Sequence, residues 1–455
     1  LRALKQQHNT MKNFLERYFQ LSSNGTTIKR EFIAGIITFL TMSYILVVNP
    51  NILADAGMDR EALFTTTALA TIVATLLMGF YAKLPIAQAP GMGLNSFFAY
   101  SVVLTMGYTW QFALTAVFIE GIIFLLLTFF NVRELIVRSI PKVLKEAIPA
   151  GIGLFITLIG LKSAGVVVSD PNTLVRLGDF SQHTVWMTFM GLIVTGVLLM
   201  RNVNGAILFG ILSATIFGLI LGDVALPTSI VALPPSIEPI FGEAIKPMFT
   251  AEGWNQIMSI DMVVVVFTFL FVNLFDTVGT LIGVISKTNL ADKNGNFPQM
   301  KKALFTDAMG TTVGSILGTS SVTSYVESAS GVASGGRTGL TAVSVAVMFA
   351  LALFLGPIFL IIPAAATAPA LIIVGLFMIS SVTRINFDKL SDGLPAFLTI
   401  VFMPFTYSIA EGIVFGMLSY TILKLGAKEH KDITPTVYVL SILFLLKIVL
   451  DVVTK

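Results

Sequence analysis

The 455-residue chain contains no cysteine and only three histidines. The first absence excludes disulfides, thiolate nucleophiles and zinc–thiolate sites. His8, His183 and His430 stand in a terminus or in connections, not together in an apolar block, so a histidine-built metal or proton-relay site is not expected. Charge is scarce as well. Asp, Glu, Lys and Arg make up 12% of the residues, where a soluble surface needs about a quarter. The formal net charge of +3 is too small, and the basic residues too scattered, for a nucleic-acid binder. Glycine pairs occur without a strand-bounded dinucleotide fingerprint or a phosphate loop. Direct use of ATP is therefore not expected, and uphill work would draw on an ion gradient. No metal cluster or activated nucleophile marks an enzyme. The opening LRALKQQHNTMKNFLERYFQ lacks a hydrophobic core followed by a small-residue cleavage site and does not read as a secretory signal.

What the chain does have is apolar surface. Hydrophobic residues make up 55%, mean hydropathy is +0.88, and the apolar residues come in blocks of membrane-spanning length. Such a chain is expected to be an all-α polytopic membrane protein. Blocks lie near 32–54, 63–81, 86–106, 110–130, 148–167, 186–200 and 205–221, then near 259–286, 303–318, 320–336, 340–361, 366–380, 394–409 and 411–425. That pattern gives 14 transmembrane segments, several short or interrupted by Gly and Pro.

With the N-terminus inside, the cytoplasmic connections hold Lys83, Arg133, Arg138, Lys142, Lys145, Arg201, Lys287, Lys293, Lys301, Lys302, Arg337, Arg384 and Lys389. Of the 28 basic residues only Arg60, Lys162, Arg176 and Lys246 fall outside, as the positive-inside rule asks. Both termini are then cytoplasmic. The stretch 437–450 contains Lys447 and is too short to cross, so it is expected to lie against the membrane or another helix.

The halves echo each other. TFL occurs at 38–40 and 268–270, ILFGILS at 207–213 and IVFGMLS at 413–419. Seven spans is an odd number, so a second copy of the unit must sit upside down. That is the inverted repeat of many secondary transporters, whose sites form at the repeat interface near mid-membrane.

Polar groups at membrane depth mark the candidate site. Asp276 lies near the middle of an apolar block, where a carboxylate is costly without a partner, water or a proton. Asn273 shares its helical face. Glu327 sits in GTSSVTSYVESASGVASGGRTG, which is a poor lipid-facing helix but suits chain broken at membrane depth around a cavity. Tyr325 would line the site from an extended stretch. The corresponding element of the first half, PIAQAPGMGLNSFFAY, has Pro90, Gly91 and Gly93 to break the helix and Asn95 to offer donor and acceptor. Broken third and tenth segments at corresponding positions point to a transport site. Thr41 and Tyr44 lie mid-block in the first segment, and Tyr44 either closes over a flat ligand or packs in the core. Glu120 and Glu411 are placed near block ends, where snorkelling or a cap suffices. Arg337 reads as a sidedness anchor rather than a ligand.

The segments TFLTMSYILVVNPNIL, APGMGLNSFFAY, FVNLFDTVGTLIGV, GTSSVTSYVESASGVASGGRTGLTA and PAFLTIVFMPFTYSIAEGI resemble the AzgA-like adenine/guanine/hypoxanthine permeases of the nucleobase–ascorbate transporter superfamily, over about 15–425. The resemblance implies two inverted 7-segment repeats. A core domain would comprise 32–131 and 259–361, and a gate domain 132–221 and 362–425. The gate would mediate a homodimer. Flanking them would be a cytoplasmic N-terminus at 1–31, an extracytoplasmic connection at 222–258, and a cytoplasmic or membrane-associated segment at 426–455. By likeness, Asp276 and Glu327 match the family's substrate carboxylates and Asn95 its polar residue of the third segment. Relatives often carry aspartate where this chain has Asn273, which puts coupling strength in question.

The expected substrate-binding residues are thus Asp276, Glu327, Asn95, Tyr44, Thr41, Gly93 and Tyr325, with Asp276 and Glu327 also exchanging protons. No cofactor or metal is expected. The partners are a purine nucleobase, a proton and membrane lipid. Guanine offers N1–H and its 2-amino group as parallel donors to one carboxylate, and hypoxanthine offers N1–H. Adenine suits a protonated acid better. The chemistry leans mildly to 6-oxopurines, imported by proton symport with alternating access at the cell membrane. The rival is an anion exchanger or channel of similar architecture. Such a protein should place a basic residue near mid-span, and the mid-membrane charges here are acidic.

Overall fold

The computed structural model describes residues 13–130, 141–227, 229–285 and 299–453. Arg133, Arg138, Lys287 and Lys293, used above for sidedness, lie outside the described residues, as does the side chain of Lys447.

The first rod is two helices, α1 (Ile28–Met42) and α2 (Ile45–Asp55), separated at Ser43 and Tyr44. Thr27 starts α1 by accepting from the Arg30 N–H, and Asp59 likewise starts α3 (Arg60–Leu77) by accepting from Ala62. Strand β1 (Gln88–Pro90) leads through Gly91 into α4 (Met92–Ser96), which continues as a π-helix over Phe97–Thr105. Then come α5 (Trp110–Phe129), α6 (Lys142–Ser163), a hairpin of β2 (Val167–Asp170) and β3 (Leu174–Leu177), α7 (His183–Met200) and α8 (Ala206–Leu221).

A connection that includes a 3-10 turn at Lys246–Phe249 and a short helix at Ala251–Ile257 leads to α9 (Ile260–Ile285) and α10 (Met300–Leu317). After these come β4 (Val322–Ser324), the short α11 (Ser328–Ala333), and α12 (Gly339–Ala352). The last four are α13 (Ala364–Ile379), α14 (Leu390–Thr406), α15 (Ile409–Gly426) and α16 (Pro435–Val453).

Among the described residues, nine helical stretches are long and apolar enough to cross a membrane; Met92–Thr105, Ala206–Leu221, Leu390–Thr406 and Pro435–Leu445 are shorter. The protein is a multi-pass, all-α membrane protein. Residues 320–336 form a strand, a turn and a six-residue helix, not a long helix. The β2–β3 hairpin was not anticipated, because hydropathy blocks do not register short exposed strands. Helix α16 packs on α15, where the Thr421 and Ser441 hydroxyls meet at 2.7 Å, and sets Phe444 edge-on against Phe267 of α9.

Packing sorts the helices. Helix α12 lies on α1 and α3, α10 on α5 and α3, and α9 on α5. Separately, α6 lies against α13 and α14, α14 against α15, and α7 against α8 and α13. Between the two sets the contacts are slighter, joining α1 with α8, α2 with α13, α4 with α6 and α9 with α15. In lipid, helices associate through close packing rather than hydrophobic exclusion, which favours small residues at contacts. Gly339 is such a residue. A Cβ there would stand 1.9 Å from the Gly79 carbonyl oxygen, so only glycine lets α12 approach the end of α3.

Candidate functional site

Two breaks in the helical pattern meet inside the protein. Pro90 removes a backbone donor and biases Ala89 toward extended backbone, while Gly318 ends α10 in a left-handed conformation. The released chains pair as antiparallel strands, Gln88 opposite Ser324, Ala89 opposite Thr323 and Pro90 opposite Val322. The Gly91 N–H donates to Ser321 O at 3.0 Å and the Tyr325 N–H to Ala87 O at 2.9 Å. A two-stranded sheet leaves backbone groups open, which is costly at membrane depth. Neighbouring helices fill them. Thr75 bonds both backbone groups of Gln88, and Thr311 both those of Val322.

Beside this crossing is a cavity of about 320 Å³. One wall holds Tyr44, Gly91, Gly93, Asp276 and the run from Thr323 to Glu327; the other holds Ile148, Pro149 and Ile152 of α6 with Val374, Phe377 and Met378 of α13. Ser380, Ser381 and Arg384 line it at the end of α13, where the Arg384 guanidinium pairs with Glu146 at 2.6 Å. Its volume lies at the lower end of the roughly 300–1,000 Å³ usual for small-molecule sites.

The two acids enter differently. Asp276 rises from unbroken α9 and takes a hydrogen bond from the Thr323 hydroxyl. Glu327 follows β4, and its Oε1 accepts from the Tyr44 hydroxyl at 2.5 Å, which comes from the gap between α1 and α2. Tyr325 donates its hydroxyl to Pro90 O at 2.6 Å and so ties the crossing together. Gly91 leaves room here, since a Cβ would stand 2.7 Å from Thr323 Cγ2 and 3.6 Å from Asp276 Oδ2.

Of the expected site residues, Asp276, Glu327, Tyr44, Gly93 and Tyr325 line this cavity. Thr41 and Asn95 do not. The Thr41 hydroxyl turns back to Thr38 O at 2.8 Å and touches Glu327 O only at 3.5 Å. Asn95 is fully buried outside the cavity lining, its Oδ1 accepting from the Ser320 hydroxyl. Arg337 donates to Val332 O and Gly336 O, away from the cavity. Glu411 sits in the first turn of α15, whose cap is Ser408.

Behind Asp276 lies a polar cluster that sequence reasoning missed. Glu120, expected near a block end, sits midway along α5 and is fully buried. Its Oε1 accepts from Asn273 Nδ2 at 2.8 Å, and its other oxygen from the Ser321 hydroxyl. Snorkelling is therefore not what accommodates it. Asp307 of α10 is equally buried and accepts from the Thr277 hydroxyl at 2.7 Å. The mid-helix position of Glu120 was the available signal. Asp307 had a weaker one, because α10 is the most polar of the long helices around the site.

A profile described as "Permease family" matches residues 29–445. The chain belongs to this permease family. The permease is 46% identical over 449 residues to the adenine permease AdeP of Escherichia coli (strain K12), covering 98% of this chain and 99% of that one. It is 43% identical over 441 residues to the guanine/hypoxanthine permease PbuG of Bacillus subtilis (strain 168), with 95% and 99% covered. Its fold resembles the transmembrane domain of the cyanobacterium bicarbonate transporter BicA, with a TM-score of 0.64 at 14% identity over 85% of this chain and 97% of that one. That likeness concerns the fold alone.

Proposed function

We propose that this permease imports purine nucleobases by proton symport, and that the base binds between Asp276 and Glu327. The observation that carries this reading is that two carboxylates from separate elements face one cavity of purine-compatible size. Each acid keeps acceptor capacity toward the cavity and can take a ring N–H or an amino group. Tyr44 orients Glu327 for this task, Gly91 and Gly93 let the base approach backbone, and Tyr325 holds the crossing. Asn95 and Thr41 act as supports, the first on the stretch before β4 and the second beneath Glu327.

Transport would follow from movement between the two packing sets. The set of α1–α5 with α9–α12 is assigned as the core domain, and α6–α8 with α13–α15 as the gate, which forms the homodimer. The whole is read as 14 segments in two inverted repeats, with segments 3 and 10 broken at β1 and β4. Both termini are assigned to the cytoplasm. The cavity then opens inward, because it reaches Arg384 at the end of α13. An anion is a poor fit beside two acids, and Arg384 is already paired with Glu146.

The relatives' names cover adenine as well as guanine and hypoxanthine at similar identity, so identity does not rank the bases. Ionised acids favour the 6-oxopurines, whose N1–H donates; a protonated acid favours adenine. The deciding measurement is uptake of labelled hypoxanthine, guanine and adenine by cells lacking their own purine permeases, with xanthine and uracil as competitors. Uptake should rise in acidic medium and collapse with a protonophore. Membrane-delivered protein that moves no purine would overturn the reading.

A further inference from the structure

The polar cluster behind Asp276 has an arithmetic of its own. The Thr277 hydroxyl stands 2.7 Å from Asp307 Oδ1, 3.1 Å from Asn273 Oδ1 and 2.9 Å from Thr323 Oγ1. It has one proton to give. Thr323 has one as well, and Asp276 lies beside it in the cavity wall. Asn273 supplies none on this side, because its Nδ2 is turned to Glu120 and fixes its oxygen toward Thr277. With both aspartates ionised, these three contacts and the approach of Thr323 to Asp276 share two protons.

A single added proton resolves three of the four. Placed on Asp307, it is donated to Thr277; Thr277 then donates to Thr323, and Thr323 to ionised Asp276. Moving each proton one place gives the reverse order, in which protonated Asp276 donates to Thr323, Thr323 to Thr277, and Thr277 to ionised Asp307. Asp307 loses one proton, Asp276 gains one, and each hydroxyl accepts one and releases one. Net charge on the pair is unchanged.

We propose that Asp307 stores the coupling proton and exchanges it with Asp276 through the hydroxyls of Thr277 and Thr323. This rests on the reading of Asp276 as a proton-coupled substrate group. Among the described residues, titratable groups that face the relay include Glu120 from α5 through Asn273, Glu327 and Tyr325 from the crossing, and Tyr44 from the α1–α2 gap. Asp307 and Glu327 are both within electrostatic reach of Asp276. Thr277 and Asp307 lie outside the cavity lining, which separates proton delivery from purine contact.

The test uses purified full-length protein in liposomes loaded with a pH-sensitive dye, with hypoxanthine and adenine as the added purines. Wild-type protein should acidify the interior when purine enters. Thr277→Val, which keeps the shape and removes the hydroxyl, should slow that proton entry by about tenfold or more. Exchange of labelled for unlabelled purine, which needs no net proton movement, should persist. Thr277→Ser should restore proton entry, and Asp307→Asn should reproduce the loss by a change on a different helix. Proton entry at the wild-type rate in Thr277→Val and Asp307→Asn would overturn the relay and leave symport standing. Exchange lost together with proton entry in both variants would overturn it in favour of a structural role. Wild-type protein that exchanges purine without moving protons would overturn symport and the relay with it.

Discussion

Glu31 and Glu327 are both buried acids, and they are held in opposite ways. Glu31, near the start of α1, is saturated. It accepts from the backbone N–H of Arg337, Thr338 and Thr341 and from the hydroxyls of Thr338 and Thr341, at 2.6–3.2 Å. It serves as a remote cap for α12, placing negative charge where the helix exposes unpaired donors. Glu327 takes the Tyr44 hydroxyl and its own backbone N–H, and otherwise faces the cavity. A carboxylate filled by fixed donors has nothing left for a ligand. One that is partly filled and faces space does, and that difference separates a structural acid from a binding one.

The largest effect should come from breaking the saturated side. Glu31→Ala would strand five donors at the α1–α12 junction and should cost about 3 kcal/mol or more. A lowered Tm of the purified protein would register it, while the folded fraction should bind purine with unchanged affinity. Weakened purine affinity in Glu31→Ala at full stability would erase the contrast.

Glu327→Gln should behave in the inverse way. It keeps the shape and leaves Tm nearly unchanged, but it loses a charge-assisted bond of about 1.5–3 kcal/mol, or roughly 10- to 150-fold in affinity. Asp276→Asn should weaken binding or abolish proton-coupled uptake. Calorimetry on folded variants measures both, and wild-type affinity in the pair would remove these acids from the site. Gly91→Ala should do less. Its new Cβ must displace Thr323, which holds Asp276, and a shift of that kind costs about 1 kcal/mol. Purine affinity should fall by roughly fivefold, and an unchanged value would show that the crossing yields without moving Asp276.

The contrast also explains what could be read from sequence. Apolar runs located the helices, because span length is a local property. The Ser- and Gly-rich run at 318–339 and the Pro90–Gly91 break stood out because each spoils a helix where one is needed. Asp276 and Glu327 followed from their cost in those surroundings. What escaped were the partners. Glu31 meets α12, and Glu120 meets Asn273, across contacts between distant parts of the chain. No periodicity encodes such pairings. The placement of Asn95 outside the cavity lining was not legible for a related reason. Its type suits a ligand, but whether an amide faces a cavity or Ser320 depends on the twist of a short strand crossing.

A third arrangement completes the series and yields the smallest prediction. Lys424 of α15 is a buried cation, matched by Asp392 at 2.8 Å, Glu429 at 2.6 Å and Asp432 at 3.1 Å. Glu429 lies beyond the end of α15, and Lys389 and then Lys424 hold its carboxyl down to about 2 from its ordinary 4.5. The folded state thus prefers ionised Glu429 more than the unfolded chain does. Its contribution is fully present above about pH 4.5 and is lost as pH falls toward 2. Because Glu429 is only half-buried, the effect should be slight, as for other solvent-accessible ion pairs. The measurement is the Tm difference between wild-type protein and Glu429→Gln across this range. The difference should be steady near neutral pH, narrow below pH 4.5, and leave purine affinity untouched throughout. A difference that stayed constant down to the lowest pH would mean that Glu429 is held by shape rather than charge. It would then belong with neither Glu31 nor Glu327.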